Sequence, residues 1–152
     1  MKVGVISDTH GLLRPEALAA LQGSELIIHA GDIGKQEILE RLAAIAPVRA
    51  VRGNNDLAAP WARDIPDRLC FEVAGRRVLL VHDIADVPTE LEGDIALVIT
   101  GHSHKPCIDW RAGRLFLNPG SAGPRRFKLP VSVALLECTP NEVLPHLVDV
   151  LD

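Results

Sequence analysis

No tyrosine occurs among the 152 residues, and two tryptophans with three phenylalanines bring the aromatic content to only 3%. Proteins that read RNA or single-stranded DNA stack bases on aromatic platforms, so that class is poorly supported. A basic surplus is missing too. The formal net charge is −4, whereas a binder of the nucleic-acid backbone carries a basic face, so no stable nucleic-acid partner is expected. No Cys-x-x-Cys pair is present. Cys70, Cys107 and Cys138 are widely separated and odd in number, and they read as free thiols buried as small hydrophobes in a reducing compartment. No apolar stretch approaches the ~20 residues of a membrane span. The first apolar run meets Ser7-Asp8 too early for a signal peptide. These absences lead to the expectation of a cytoplasmic protein with no membrane partner.

What remains is mostly ordinary. Hydrophobic residues make up 47% and charged ones 24%, the balance of a soluble globular chain. The length fits one domain over 1–152, able to bury a core without disulfides. Six histidines stand out against this background, and their positions carry the functional reading.

Short apolar runs alternate with amphipathic segments in the first half. Residues 3–6, 26–28 and 48–51 read as strands. Residues 14–22 read as a helix with Pro15 in its first turn. A second helix over 36–46 puts Ile38, Leu39, Leu42 and Ile45 on one face and stops before Pro47. That order implies a parallel sheet with right-handed crossovers. The second half reads differently. Runs at 69–73 and 78–81 flank Ala74-Gly75-Arg76, and runs at 107–110 and 115–117 flank Arg111-Ala112-Gly113-Arg114, both hairpin signals. Residues 95–99 form another apolar strand, and 131–137 with 143–150 a closing antiparallel pair. The expectation is an α/β chain with two mixed sheets packed face to face and helices outside.

The residues that follow these runs carry the chemistry. The run at 3–6 leads to Asp8-Thr9-His10-Gly11, and 26–28 leads through His29 and Gly31 to Asp32. The third run leads through Gly53 to Asn54-Asn55-Asp56, the run at 78–81 to His82-Asp83, and 95–99 to Gly101-His102-Ser103-His104. Open α/β sheets place ligand sites outside the carboxyl ends of their strands, so these side chains are expected to converge. Gly11, Gly31, Gly53 and Gly101 allow the close backbone approach such a rim needs. Any one Asp or Asn after a strand is ordinarily a turn former or an N-cap. A lone His82 would be a hydrogen-bonded rim residue. The set as a whole points to metal.

Imidazoles suit transition ions such as Mn, Fe, Ni or Zn. Asp8, His10, Asp32, Asn54, His82, His102 and His104 are too many for one catalytic ion, and suit two divalent ions sharing a bridging carboxylate. Paired metals about 3.5–4 Å apart activate a bridging hydroxide for in-line displacement at phosphorus. His29 falls outside this set as a supporting or core residue, and His146 reads as structural.

In order and spacing, Asp8-x-His10, Gly31-Asp32, Gly53-Asn54, His82 and Gly101-His102-x-His104 resemble the signature of the calcineurin-like metallophosphoesterase superfamily. The resemblance covers nearly the whole chain. It is closest to small single-domain bacterial and archaeal phosphodiesterases of the YfcE type, which carry a segment like Asn118-Pro119-Gly120-Ser121. It implies a metallophosphoesterase-type β-sandwich flanked by α-helices. It also implies one metal on Asp8, His10, Asp32 and His104, and another on Asp32, Asn54, His82 and His102, with Asp32 bridging. His102 and the metals would neutralise charge growing on the phosphoryl oxygens. A small-molecule phosphate ester is the expected substrate, and a homo-oligomer is left open.

Two departures qualify the likeness. Where many members carry a histidine thought to protonate the leaving group, this chain has Asn55, which cannot supply a proton. Asn55 can still hydrogen-bond a phosphate oxygen, and phosphodiesters with good leaving groups are favoured over alkyl monoesters. Asp56 then has no histidine to orient and is left to cap a loop. Relatives usually have Gly after the metal histidine, where Asp83 stands here. Only twelve positions separate His82 from Asp94, so any helix between Pro88 and Leu91 must be very short and the site more open. Arg125 and Arg126 could reach a substrate phosphate, although solvated loop arginines are the plainer reading. Two alternatives stay open. One is a phosphomonoesterase; the other is a weakly catalytic or non-catalytic interaction scaffold, since a retromer subunit shares the fold.

Overall fold

The computed structural model describes residues 1–151. Ten strands and two α-helices follow the chain as β1 (Lys2–Ile6), α1 (Pro15–Leu21), β2 (Leu26–His29), α2 (Gln36–Ala43), β3 (Val48–Ala50), β4 (Arg68–Val73), β5 (Arg76–Val81), β6 (Ile95–Ile99), β7 (Cys107–Arg111), β8 (Arg114–Asn118), β9 (Ser132–Cys138) and β10 (Val143–Asp149). They form two five-stranded mixed sheets, ordered β10-β9-β1-β2-β3 and β4-β5-β6-β8-β7. In the first, β1, β2 and β3 run parallel, and β9 returns antiparallel beside β1. In the second, β5, β6 and β8 are parallel, with β4 and β7 as antiparallel hairpin partners. The expected hairpins and closing pair are all present.

Side-chain alternation assigns each strand two faces. Val3, Val5, Ile28 and Ala30 meet Val78, Leu80, Leu97, Ile99, Leu115 and Leu117 in the core between the sheets. Ile6 and Ile27 point the other way, into a second core shared with Ala17 and Leu21 of α1 and Ile38 and Leu42 of α2. Both helices therefore cover the first sheet. The outer face of the second, with Leu79, Val81 and Val98, is covered by Val87 and Leu91 from the segment after β5.

That segment holds no α-helix. It holds a 3₁₀ turn at Ile84–Asp86, capped by the Asp83 carboxylate, which accepts from the Ala85 N–H at 3.0 Å. Helix α2 ends three residues short of the expected limit, because Ala44 is its C-cap and Ile45 and Ala46 both bond back to the Leu42 carbonyl. The cysteines differ more. Only Cys138 is buried, whereas Cys70 and Cys107 lie exposed on the edge strands β4 and β7. On β4, Cys70 alternates with the inward-leaning Leu69 and Phe71 and so takes the outer face. Among the described residues, no helix is long and apolar enough to cross a membrane.

Candidate metal centre

Three parallel strands of each sheet send their carboxyl ends to one rim, where backbone bonds stitch the loops together. The Asp8 N–H donates to the Gly31 carbonyl, Gly101 N–H to His82 O, and Ala122 N–H to Ser7 O. Gly53 and Gly101 show how tight the rim is. A Cβ on Gly53 would collide with Asp32, and one on Gly101 with the Ser7 hydroxyl and the Asp8 carboxylate. Asp8, His10, Asp32, His102 and His104 all adopt positive φ, between 47° and 69°. For non-glycine residues this conformation is strained, of order 1–3 kcal/mol each, and persists only where the surroundings dictate it. Strain collects on the residues singled out as ligands.

Two groups of donors result. Asp8, His10 and His104 bring ligand atoms within 4.8 Å of one another, as do Asp32, His82 and His102. The groups adjoin: His10 Nε2 lies 3.6 Å from both Asp8 Oδ1 and Asp32 Oδ2, and His82 Nε2 lies 3.2 Å from Asp32 Oδ2. His104 Nε2 stands 3.4 Å from Asp8 Oδ1. Asp8 Oδ1, His10 Nε2, His82 Nε2 and His104 Nδ1 are buried without a hydrogen-bond partner. Buried polar atoms are rarely left so, and these fit a divalent ion. Asn54 is exposed and lines a cleft together with His82 and His102.

Supporting contacts orient the donors. The Ser7 hydroxyl donates to Asp8 Oδ2 at 2.6 Å and the His102 N–H to the same oxygen at 3.1 Å, leaving Oδ1 to face the histidines. His82 Nδ1–H donates to the Ala30 carbonyl at 2.7 Å, which presents the Nε2 lone pair to the site. Burial pulls the Asp8 carboxyl upward, yet His10, Ser7, His82 and His104 outweigh it and hold the group below the ordinary carboxylate range. Asp32 behaves likewise through His82 and the Asn55 N–H. Asp8 beside it raises His10. Burial lowers His82, but Asp32 and the Ala30 carbonyl outweigh this and raise it. Burial lowers His104, with the nearby Arg126 adding to the effect.

The other singled-out residues divide. Asn55 lies at the mouth, its backbone N–H donating to Asp32 Oδ1 at 2.9 Å. Asp83 sits 3.6 Å from His102 Nε2. Arg125 and Arg126 line a cleft with His10, Asn55 and His104. Asp56 is fully buried and accepts from the N–H groups of Ile33, Gly34 and Gly53, tying the loop after β2 to that after β3. His146 is exposed on β10, away from the rim.

One contribution escaped sequence reasoning. Asn118 donates to the Gly101 carbonyl and to the Ser103 hydroxyl, and Ser121 donates to the Asp8 carbonyl. The Asn-Pro-Gly-Ser segment thus braces both halves of the site, a role its composition does not announce. His29 accepts from the Gly31 N–H through Nδ1 and lies 3.0 Å from Thr9 Oγ1 through Nε2. The Thr9 hydroxyl gives its own proton to the Ile33 carbonyl, so Nε2 must be the donor. Burial pushes His29 down to about 4, and it is neutral at pH 7.

Residues 1–141 match the family model for the calcineurin-like phosphoesterase superfamily domain. The chain is 36% identical over 150 residues to a probable metallophosphoesterase of Methanothermobacter thermautotrophicus, covering 89% of this chain and 85% of that protein. Phosphodiesterase YfcE of Escherichia coli is 27% identical, with 95% and 90% covered. Vacuolar protein sorting 29 from Cryptosporidium parvum superposes with a TM-score of 0.83 at 24% identity, covering 99% of this chain and 92% of that one. This last is a likeness of fold.

Proposed function

The chain belongs to the calcineurin-like phosphoesterase superfamily, and from that premise we propose that it is a binuclear metal-dependent phosphodiesterase. One observation carries the reading: two adjoining groups, each of two histidines and one aspartate, leave buried ligand atoms unpaired. Asp8, His10 and His104 would hold one ion, and His82, His102 and Asn54 the other. Asp32 would serve both, since its Oδ2 lies 3.6 Å from His10 Nε2 and 3.2 Å from His82 Nε2. The mixed imidazole and carboxylate set suits Mn, Fe, Ni or Zn. When bound, such a pair supplies Lewis-acid polarisation of phosphoryl oxygens and makes water at the site more acidic.

The chain's own groups do the rest. His102, with 46% of its side chain exposed, stands at the mouth beside Asp83, where its ring N–H can meet charge growing on a phosphoryl oxygen. Asn55 holds Asp32 through its backbone and offers an amide to a phosphate oxygen. It cannot hand over a proton, so the departing alcohol must leave with little help, which favours diesters with good leaving groups. The exposed free thiols Cys70 and Cys107 favour a reducing compartment such as the cytoplasm.

The likeness to vacuolar protein sorting 29 supports a second reading, a protein-binding role on the same fold. The complete donor set weighs against it. The test strips the purified protein with a chelator, reloads it with Mn or Ni, and follows hydrolysis of bis(p-nitrophenyl) phosphate. Turnover that returns only on reloading, and is lost in Asp32→Asn, is the expected result. Inertness with Mn, Fe, Ni and Zn alike would favour the scaffold.

A further inference from the structure

The rim opens into two clefts of opposite character. On the His82 and His102 side, about 290 Å³ is bordered by Asp67, Asp83 and Asp86, with Arg52 held by Asp67. On the His10 and His104 side, about 310 Å³ is bordered by Asn55, Pro124, Arg125 and Arg126. This second wall is a short segment, Pro124-Arg125-Arg126-Phe127-Lys128, in which every residue is exposed. Its root is fixed. Ala122 N–H bonds the Ser7 carbonyl, Ser121 the Asp8 carbonyl, and Arg14 Nε–H the Gly123 carbonyl at 3.2 Å. Gly123 packs so close to the backbone of Asp8 and Thr9 that a Cβ would not fit. The cationic tip is thus anchored directly to the strand end that carries Asp8 and His10.

Two features of the tip ask for a ligand. Arg125 and Arg126 border the same cleft as His10, Asn55 and His104, and no carboxylate among the described residues holds their guanidinium groups, which leaves them open to an anion in that cleft. Phe127 is 89% exposed, more than any other large apolar side chain among the described residues, and its φ is +53°. A bulky residue in the left-handed region is uncommon, and such strain clusters at ligand clamps. In a chain so poor in aromatics, one is held out into solvent between two cations.

We propose that residues 124–128 form the substrate-recognition loop of this site, Arg125 and Arg126 binding a second anionic group while Phe127 covers a flat ring. Its favoured substrates are then nucleotide-type phosphodiesters, with a base and a further phosphate beyond the one that is cleaved. A planar guanidinium pairs with phosphate through two parallel bonds, and an aromatic face stacks on any base. The acidic border opposite sends the extra negative charge to the arginine side and so sets the direction in which substrate lies. This inference rests on the phosphodiesterase reading, and deepens it.

The test compares 5′-phosphorylated diadenylate, which carries both features, with bis(p-nitrophenyl) phosphate, which lacks the second anion. For Arg125→Ala/Arg126→Ala, KM for the dinucleotide should rise at least about ten-fold more than KM for the aryl diester. Equal changes on the two substrates, or none, overturn the arginine role. Calorimetry of the Mn-loaded protein gives a readout independent of turnover. Adenosine 5′-monophosphate should bind more tightly than inorganic phosphate, by about five-fold or more, with the margin lost in Phe127→Ala and kept in Phe127→Trp. A margin that is absent, or unchanged in Phe127→Ala, overturns the stacking role. Wild type inert on both diesters, with loop-dependent nucleotide binding intact, overturns the enzyme reading and supports the loop.

Discussion

Asn55 donates its backbone N–H to Asp32 Oδ1, and its amide nitrogen lies 3.4 Å from both Asp32 Oδ2 and His10 Nδ1. The side chain therefore stands at the mouth of the site between donors of both groups. General acid help is typically worth ~10²–10⁴-fold, so Asn55→His should raise the rate on an alkyl monoester by roughly ten-fold or more. An unchanged rate would show that leaving-group protonation does not limit this site. His29 makes a second prediction at this scale. It is buried neutral with a folded value of about 4 against an unfolded 6.5. Between those values the unfolded chain binds the extra proton, so this contribution to stability rises with pH and is lost progressively as pH falls below 6.5. From pH 7 to 5 the loss amounts to about 2 kcal/mol. His10 and His82, whose proton affinities are raised, work in the opposite sense in metal-free protein. The readout is hence the difference between wild type and His29→Gln in urea unfolding at pH 7 and pH 5, with the variant losing less. Parallel losses would refute a buried neutral His29. Its partner Thr9 lies twenty residues away and only Gly31 is near it in the chain, which is why the sequence leaves open whether His29 supports the site or fills the core.

Strand existence was readable because apolar runs alternate faces. Val3 and Val5 enter the core between the sheets while Ile6 enters the one beneath the helices. Ends were less readable. The Ala44–Ala46 stretch keeps good helix formers yet leaves the α-helix, since its N–H groups fall back on Glu40 and Leu42 before Pro47. The segment after β5 covers its sheet with Val87 and Leu91 and no α-helix; its length alone restricts any helix there to a very short one, but which side chains do the covering is not signalled by periodicity. Both hairpins turn on Ala-Gly. Ala74 and Ala112 have φ +51°, and Gly75 and Gly113 have φ +78°. Two residues of positive φ make a type I′ turn, in which Asn or Asp belongs at the first position. An alanine held there costs roughly 1–2 kcal/mol, part of which Asn recovers. Ala74→Asn with Ala112→Asn should raise Tm by roughly 2–6 °C, taking ~2–4 °C per kcal/mol for a chain of this size. Ala74→Val should lower it, and thermal unfolding of the three proteins decides the matter.

Across the whole molecule, the candidate donors come from both sheets. Asp8, His10 and Asp32 follow β1 and β2, whereas His82, His102 and His104 follow β5 and β6. The motifs named these residues, but nothing in the chain order says that β8 inserts between β6 and β7, or that β9 and β10 return to β1. Those non-local pairings bring the two rims together. They also brace them, through Asn118 on Gly101 and Ser121 on Asp8. An ion held by donors of both sheets fastens the sandwich at one end as well as serving chemistry. Anything that binds the folded chain alone stabilises it, by about 2.7 kcal/mol at 100-fold excess over Kd. Adding Mn or Zn to chelator-treated protein should therefore raise Tm by roughly 5–10 °C. Asp32→Asn removes charge from the shared donor and should forfeit much of that rise. Asp109→Asn, on β7 and away from both donor groups, should keep it. A Tm indifferent to all four candidate metals would mean that the donors do not bind across the sheets, and the unpaired atoms of Asp8, His10, His82 and His104 would need another partner.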